Sequence, residues 1–506
     1  MPSPEDALLR FEGPRQWTNF HGTVRTDIAG QWVVENGSAS STMAGMRETA
    51  ARIQRLIRYA VESGVRLRAM GSRWSFSEVA VVKNGWTLQT DRLNFDFTVG
   101  PGSIDPAFAG EREGLRLVQA GCSIAELNRK IESSARPRSL RTSGASNGQT
   151  IGGSLGTGIH GSAIDRAGFE GEVLGLQLLT AHSNLWIEHP NFPTLSGDFA
   201  ARLGATLVRD ATLFSAGLVS LGALGVVHAA LVQTAPRYLL RSFQRQMSVE
   251  SVIEAMKRLD FTGVALPKPN QRPYFFQMVV DPAHPNTGYV TVRYQEPCPQ
   301  DYVTDVALRS GYEAGNDLPG VFSAVLDVVP PLRQAVVSLL LQNRLAPFEN
   351  KLNTPAETYS YTSSRPGTAG GSIAVPAARL DEALELARQA FVSHANAPAA
   401  YACRFTQPSP ACLGFTRFDP TCVIDIDGLA STSIVELMEG IRTRFDAAGM
   451  PYAQHWGKLH GLTAARVAAS HGDRLADWHA ARNRLLPTAA ERQVFSTDLL
   501  QDIGLA

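Results

Sequence analysis

At 506 residues the chain is longer than one hydrophobic core supports, so two domains or more are expected. Lys and Arg number 47 and Asp and Glu 47, and this balance, with no basic excess, argues against a nucleic-acid partner. The five cysteines, Cys122, Cys298, Cys403, Cys412 and Cys422, form no CxxC pair, which speaks against a zinc site or disulfide framework and for buried free thiols.

The amino terminus, MPSPEDALLRFEG, has neither the basic stretch nor the apolar run of a secretory signal, so a cytoplasmic protein is expected. Ile53, Leu56, Ile57, Ala60 and Val61 fall at the i, i+3, i+4 spacing of an amphipathic helix, and residues 65–70 then alternate as a short strand. That strand runs into a small-residue turn, Gly71-Ser72-Arg73-Trp74-Ser75-Phe76. Helix, strand and turn in this order offer backbone donors to a phosphate. Residues 115–119 predict another strand, and Ser123 with Glu126 forms a capping box opening a helix through Ile131.

Residues 143–161, SGASNGQTIGGSLGTGIHG, place Gly148, Gly152, Gly153, Gly156, Gly158 and Gly161 within fourteen positions. Each glycine gives up backbone entropy and side-chain contact, so neither a packed helix nor a strand is expected here. The density suits main chain that approaches a ligand closely and aims N–H groups at an anion. Thr150 and Thr157 add hydroxyl donors, and His160 sits inside the loop. A diphosphate cofactor is the expected guest, although the spacing is neither the Rossmann fingerprint nor a P-loop.

Residues 172–181 predict an apolar strand. Residues 211–236 carry no Asp, Glu, Lys or Arg and are long enough for a membrane span by hydropathy alone. Gly217, Gly222, Gly225, Ser215, Ser220 and His228 argue instead for buried strand–turn–strand structure. Beyond Tyr238, amphipathic helices mix with strands such as 289–294. Residues 297–320 and 362–372, rich in Pro, Gly, Ser and Thr, predict loops. The apolar run 336–341 suits core packing, or the lining of a substrate pocket. Residues 373–376 predict a strand and 380–391 a helix.

Four segments, the turn at 71–76, the glycine stretch, LGALGVV within 214–227, and His455-Trp456-Gly457-Lys458, occur in the order found in a known family. Together they resemble the vanillyl-alcohol oxidase superfamily of FAD flavoproteins, in its aldonolactone and alditol oxidase branch, over almost the whole chain. The resemblance implies an α+β, two-domain flavoprotein. A PCMH-type FAD-binding domain is expected over 1–240 and a substrate domain of antiparallel sheet plus helices over 241–449. Residues 450–506 are expected to return to the FAD domain. It implies that FAD lies on Ala69, Met70, Gly71, Ser72, Arg73, Trp74, Ser75, Gly144, Thr150, Gly153, Thr157, Gly158, Ile159, His160, Val226, Val227 and His455. Lys458 and Arg404 are the implied catalytic residues, and no metal is expected.

The departures from the family pattern are as informative. Trp74 stands where relatives carry a histidine bonded to the flavin, and Ala145 and Ser146 where others carry a cysteine, so FAD is expected to be non-covalent. Cys122 lies in a different segment and suits a small buried residue. Gly144, at the position that gates the flavin edge, leaves room for dioxygen. Lys458 and Arg404 are fixed cations suited to stabilising a developing alkoxide. Arg404, within Cys403-Arg404-Phe405, matches the arginine of an E-x-R pair whose glutamate position is Ala402, and the family's polyol-binding serine is Ala145. Each unpaired buried substrate hydroxyl costs about 1–3 kcal/mol. The expected substrate is therefore a small molecule less hydroxylated than a free alditol. The leading expectation is a soluble FAD-dependent oxidase of a CH–OH group that uses dioxygen and releases hydrogen peroxide, with neither nucleic acid nor a membrane span. A dehydrogenase using another acceptor, or a secondary-metabolism catalyst of oxidative cyclisation or amine oxidation, are the alternatives.

Overall fold

The computed structural model describes residues 3–37, 41–144, 146–304, 322, 328, 332–359 and 367–506. The helix expected around Ile53 spans Thr42–Ser63; the Ser41 side chain accepts from the Ala44 N–H, and Gly64, at φ 63°, ends it in the left-handed region. It crosses between the parallel strands Gly30–Val34 and Leu67–Met70, which flank Trp86–Gln89 in a four-stranded sheet completed by Leu9–Glu12. Its buried stripe, Ile53, Leu56, Ile57 and Ala60, packs in one cluster with Trp32, Leu67 and Leu88. A second sheet of six strands runs in the order Thr206–Arg209, Asn184–Glu188, Val173–Leu179, Val226–Gln233, Leu115–Gln119, Asp96–Thr98. Ser123 caps Ile124–Glu132 by accepting from the Glu126 N–H at 3.1 Å. The Glu126 carboxylate turns instead to Asn94 and Lys130, so only half of the expected capping box forms.

Three local expectations are corrected. The glycine stretch is not a loop throughout, because Ile151–Thr157 forms a short α-helix with Thr150 as its N-cap. The uncharged segment is a helix, Ala211–Leu218, then a turn and the strand Val226–Gln233, rather than strand–turn–strand. Among the described residues no helix is long and apolar enough to cross a membrane. Finally, residues 368–372 are not loop but the first part of the strand Thr368–Pro376.

The second half is an eight-stranded antiparallel sheet in the order Phe348–Asn353, Tyr238–Ser248, Thr287–Pro297, Phe275–Val280, Ala399–Thr406, Thr421–Leu429, Thr368–Pro376, Ala453–Gln454. Alternation along its strands sorts side chains onto two faces. Tyr401, Cys403, Phe405, Cys422, Ile424 and Ile426 pack with Val252, Leu384 and Leu437 of the helices Val249–Arg258, Leu380–Ser393 and Thr432–Ala447. Arg404, Asp425 and Asp427 point the other way. After Ala453–Gln454 the chain crosses to the first half, where Trp456, Val467, Trp478 and Leu500 share a core with Leu155 and Leu218. Ala411, Cys412 and Leu413 enter that same core from between two strands of the eight-stranded sheet. The two halves are therefore stitched together on both sides of the site.

Candidate active site

A cleft is lined at one end by the turn after strand Leu67–Met70, the glycine helix and Ser220–Gly225, and at the other by Arg404, Asp427, His455 and Lys458. The main-chain donors are distributed differently from the expectation. The N–H groups of Ile151, Gly152 and Ser154 donate to Cys122 O, Ala120 O and Thr150 O, and that of Gly153 donates to Thr150 Oγ1. The glycines serve close approach instead. A Cβ on Gly152 would lie 3.0 Å from Ala120 Cβ, whereas one on Gly156 would meet nothing within 4 Å. The N–H groups of Ser72, Arg73, Trp74 and Ser75 have no acceptor among the described residues, in a turn where Arg73 sits at φ 58°. A Cβ on Gly71 would strike the Thr150 side chain, so this turn and the glycine helix are held in contact. Thr157 Oγ1 donates back to Gly153 O at 3.0 Å and is thus engaged within its own helix.

Two buried groups missed by the sequence reading complete the cradle. Arg68 lines the cleft at 3% exposure; its Nε donates to Val79 O, and its Nη1 has no hydrogen-bond partner among the described residues. Ser154 Oγ is likewise buried and without a partner. An orphaned guanidinium, an orphaned hydroxyl and four free main-chain donors suit the diphosphate of FAD, and the open side of Gly156 leaves space for it. Of the expected cofactor residues, all but two line the cleft. Gly158, at φ 70°, caps the glycine helix, and Val226 points into the core beside Val227, which does line the cleft. Trp74 stacks on Phe20 with ring centroids 4.3 Å apart, and its ring covers Gly148. Burial pushes the Cys122 thiol up to about 12, as befits an inert core residue. Ala145 lies outside the described residues.

The end of the cleft that carries Lys458 and Arg404 is organised around a residue the sequence reading did not single out, Asp425. Lys458 Nζ donates to Asp425 Oδ1 at 2.8 Å, and Arg404 Nη1 lies 3.3 Å from Asp425 Oδ2. Ser372 Oγ also donates to Asp425 Oδ1, and His160 Nε2 stands 3.6 Å from that oxygen. Burial alone would raise the carboxyl, but the charges of Lys458 and Arg404, together with His160, hold it well below the usual range. Arg404 Nε donates to Gln277 Oε1 at 2.9 Å, which fixes the guanidinium plane from the next strand. His160 and His455 both contact Phe415, and burial holds both imidazoles below their ordinary pKa. His160 thus sits in the polar cluster as well as in the glycine stretch.

The segment carrying Lys458 is clamped between the two halves. Phe76 N–H donates to Gly457 O at 2.8 Å, Ser77 Oγ to Trp456 O at 2.7 Å, and Trp456 Nε1 to Leu413 O at 2.7 Å. The His455 N–H reaches Ser372 O, and a Cβ on Gly457 would press on Ser75, His455 and Thr157 within 3.3 Å. A side chain here would push on its neighbours by a few tenths of an ångström, at the point where the turn after Met70, the glycine helix and the lysine converge. Strand register explains the position of Asp425, which pairs directly with Ala402. The carboxylate absent from position 402 is supplied by the neighbouring strand. A signal for this lies in Val423-Ile424-Asp425-Ile426-Asp427, where two acids alternate with aliphatic residues in an otherwise apolar strand.

Residue 144 is also placed in a new light. A Cβ on Gly144 would lie 2.5 Å from Ile159 Cδ1, so the room left by this glycine is filled by the isoleucine. The apolar run 336–341 lies on the helix Arg333–Arg344, where Val337 and Leu341 pack against Ala400, Ala402 and Val279 of the sheet.

Residues 42–186 match the FAD binding domain family. A D-arabinono-1,4-lactone oxidase of Debaryomyces hansenii is 24% identical over 210 residues, 41% of this chain and 34% of that protein. The match thus spans about a third of the yeast relative's length. An L-gulono-1,4-lactone dehydrogenase of Mycobacterium tuberculosis is 23% identical over 472 residues, covering 91% of this chain and 96% of the relative. Among solved structures, a solvent-stable cholesterol oxidase superposes with TM-score 0.68 at 15% identity, covering 98% of both chains. Cholesterol oxidase from Brevibacterium sterolicum gives TM-score 0.68 at 12% identity, over 98% of this chain and 97% of that one.

Proposed function

We propose, for a chain that belongs to the vanillyl-alcohol oxidase superfamily of FAD-dependent oxidoreductases in its aldonolactone oxidase branch, that it oxidises a CH–OH group of a small molecule poorer in hydroxyls than a free alditol. FAD is the cofactor, and in this proposal it is held without a covalent bond at Trp74. Bound FAD supplies the hydride acceptor. The observation that carries the reading is the pair of cations, Lys458 and Arg404, anchored on Asp425 and facing one end of the cleft that holds the FAD cradle at the other. Lys458 directs one of its three donors to Asp425, leaving two for a substrate oxygen. Held by ion pairs on a buried carboxylate, both cations meet developing negative charge without reorganising first. The lower polarity of the substrate is the expectation carried by Ala402, which brings a methyl group to the position of the family's glutamate and packs with Val279, Val337, Leu341 and Leu429.

Dioxygen as the final acceptor, with release of hydrogen peroxide, is the reading favoured by the small residue at 144. The dehydrogenase alternative is favoured by Ile159, which fills the space a glycine there leaves. Both are decided by one experiment. A panel of alcohols and lactones is mixed with the FAD-loaded protein under a peroxide-coupled assay and, in parallel, with dichlorophenol-indophenol. Turnover with peroxide formation supports the oxidase, and turnover with the dye alone supports the dehydrogenase. Failure of every alcohol and lactone to bleach the flavin anaerobically rejects alcohol oxidation itself.

A further inference from the structure

We infer that Asp427 is the group that takes up the hydroxyl proton when the substrate CH–OH is oxidised; the assignment rests on the alcohol-oxidising reading above. Asp427 follows Asp425 by two positions on the strand Thr421–Leu429 and so shares its face. The two carboxylates are placed very differently. Asp425 accepts from Lys458 and Ser372 at Oδ1 and pairs with the Arg404 charge through Oδ2, and holding a proton would weaken those contacts. Asp427 lines the cleft beside Arg404, His455 and Lys458 at 3% exposure, and its Oδ1 has no donor among the described residues. A Cβ at position 370 would fall on that oxygen, so Gly370 on the adjacent strand is what makes room for it. Asp427 thus brings to the cleft a carboxyl whose Oδ1 is packed against Gly370 without a donor, an arrangement that is costly for the ionised group and favours its holding a proton.

The surrounding charges suit a proton acceptor. Burial and Asp425 raise the Asp427 carboxyl, Lys458 and Arg404 lower it, and the balance lies at about 6. The strand Thr368–Pro376 on its other side brings no charged side chain. Burial and the Lys458 charge hold the imidazoles of His160 and His455 below their ordinary pKa, against the pull of Asp425. In the step assigned, the C–H bond breaks and its electron pair leaves as hydride to bound FAD. The O–H bond breaks with its pair staying on oxygen to complete the C=O, and the proton goes to the Asp427 carboxylate. Two electrons pass from substrate to FAD, and the proton later leaves through the cleft.

The test uses the FAD-loaded protein. Absorbance of the oxidised flavin is first titrated from acid to mildly basic pH without substrate. A step near 6 in the wild type, absent from Asp427→Asn at full FAD content, is expected. Benzyl alcohol, cyclohexanol and L-gulono-1,4-lactone are then mixed anaerobically with both proteins. Flavin reduction by whichever probe reacts fastest is expected to rise with pH to a plateau in the wild type. In Asp427→Asn it is expected to fall on the order of 10²–10⁴-fold and lose that rise. Asp427→Ala, with partial recovery of the rate by added formate, gives the same decision should the asparagine variant bind FAD poorly. No step in the wild type, a step surviving in the variant, or a variant reduced at near wild-type rate with an unchanged pH profile overturns the assignment. If none of the three probes reduces the wild type, alcohol oxidation fails and the assignment falls with it.

Discussion

Arg68→Met separates what a buried charge costs the fold from what it gives the cofactor. The guanidinium is almost wholly buried, held by one hydrogen bond of 2.6 Å to Val79 O, with Nη1 unpartnered among the described residues. Burial pulls its pKa down to about 10. From an ordinary value above 12, that fall corresponds to roughly 3 kcal/mol of disfavour for the charged form in the protein without cofactor. A basic group whose pKa is lowered on folding destabilises the folded state at every pH below the lowered value, and neutral pH lies there. Methionine fills much of the same volume without the charge, so the FAD-free variant is expected to melt above the FAD-free wild type. With FAD most of that advantage is lost. A hydrogen bond to a charged group contributes about 1.5–3 kcal/mol, and its loss at the diphosphate weakens FAD binding roughly 10- to 150-fold. The assay is fluorescence titration of the FAD-free protein with FAD, paired with melting of each form at one FAD concentration. Because ligand stabilisation grows as RT ln(1 + [L]/Kd), the FAD-induced rise in melting temperature should be smaller in the variant. A variant that binds FAD as tightly as the wild type, or an FAD-free variant that melts lower, refutes the reasoning.

Lys458→Met is expected to keep FAD, because the clamp on its segment runs through Phe76, Ser77 and Trp456, while flavin reduction slows about 10²–10³-fold; an unchanged rate in anaerobic stopped flow would take Lys458 out of the chemistry. Acid is expected to release FAD into the supernatant, since tryptophan at 74 forms no bond to the flavin, and flavin fluorescence remaining on the protein band of a denaturing gel would show otherwise. Ile159→Ala should speed reoxidation of the reduced protein by air and Gly144→Val should slow it, with dye-linked reoxidation changing far less. The two effects share one volume, because a Cβ at 144 lies 2.5 Å from Ile159 Cδ1. Equal changes with air and dye would dissociate that volume from the path of oxygen.

Elements whose residues carry their own periodicity are legible in the sequence alone. The stripe Ile53, Leu56, Ile57 and Ala60 is buried as its spacing predicts, and Leu115–Gln119 is a strand. The glycine helix is not legible there, because helix propensity describes a segment with nothing around it. In the fold Thr150 caps the helix, and absent side chains let Gly152 rest against Ala120. The strand beginning at Thr368 is hidden for a similar reason. Its Gly370 and Gly371 look like loop residues until the side chains of Asp427 and Met438 are seen to occupy the space that their missing Cβ atoms leave.

The site shows the same limit in a sharper form. Lys458 stands out through a motif that runs along the chain, whereas Asp425 acquires its place only across the sheet. Paired residues on adjacent antiparallel strands have Cβ atoms roughly 4.5–5.5 Å apart. A carboxylate can therefore pass from one strand to its neighbour and remain beside the same arginine. Read residue by residue, Ala402 is a lost glutamate and the site has become less polar. Read by register, Ala402 faces Asp425, and the negative charge beside Arg404 has been kept while its anchor has moved. The case for a less hydroxylated substrate consequently cannot rest on counting missing polar groups. Val279, Val337, Leu341 and Leu429 pack Ala402 into a buried apolar cluster outside the cleft lining, so the hydroxyl content of the substrate is decided by the panel of alcohols and lactones. Asp427, which has no ion pair among the described residues and lines the cleft itself, is the better guide to what the cleft receives.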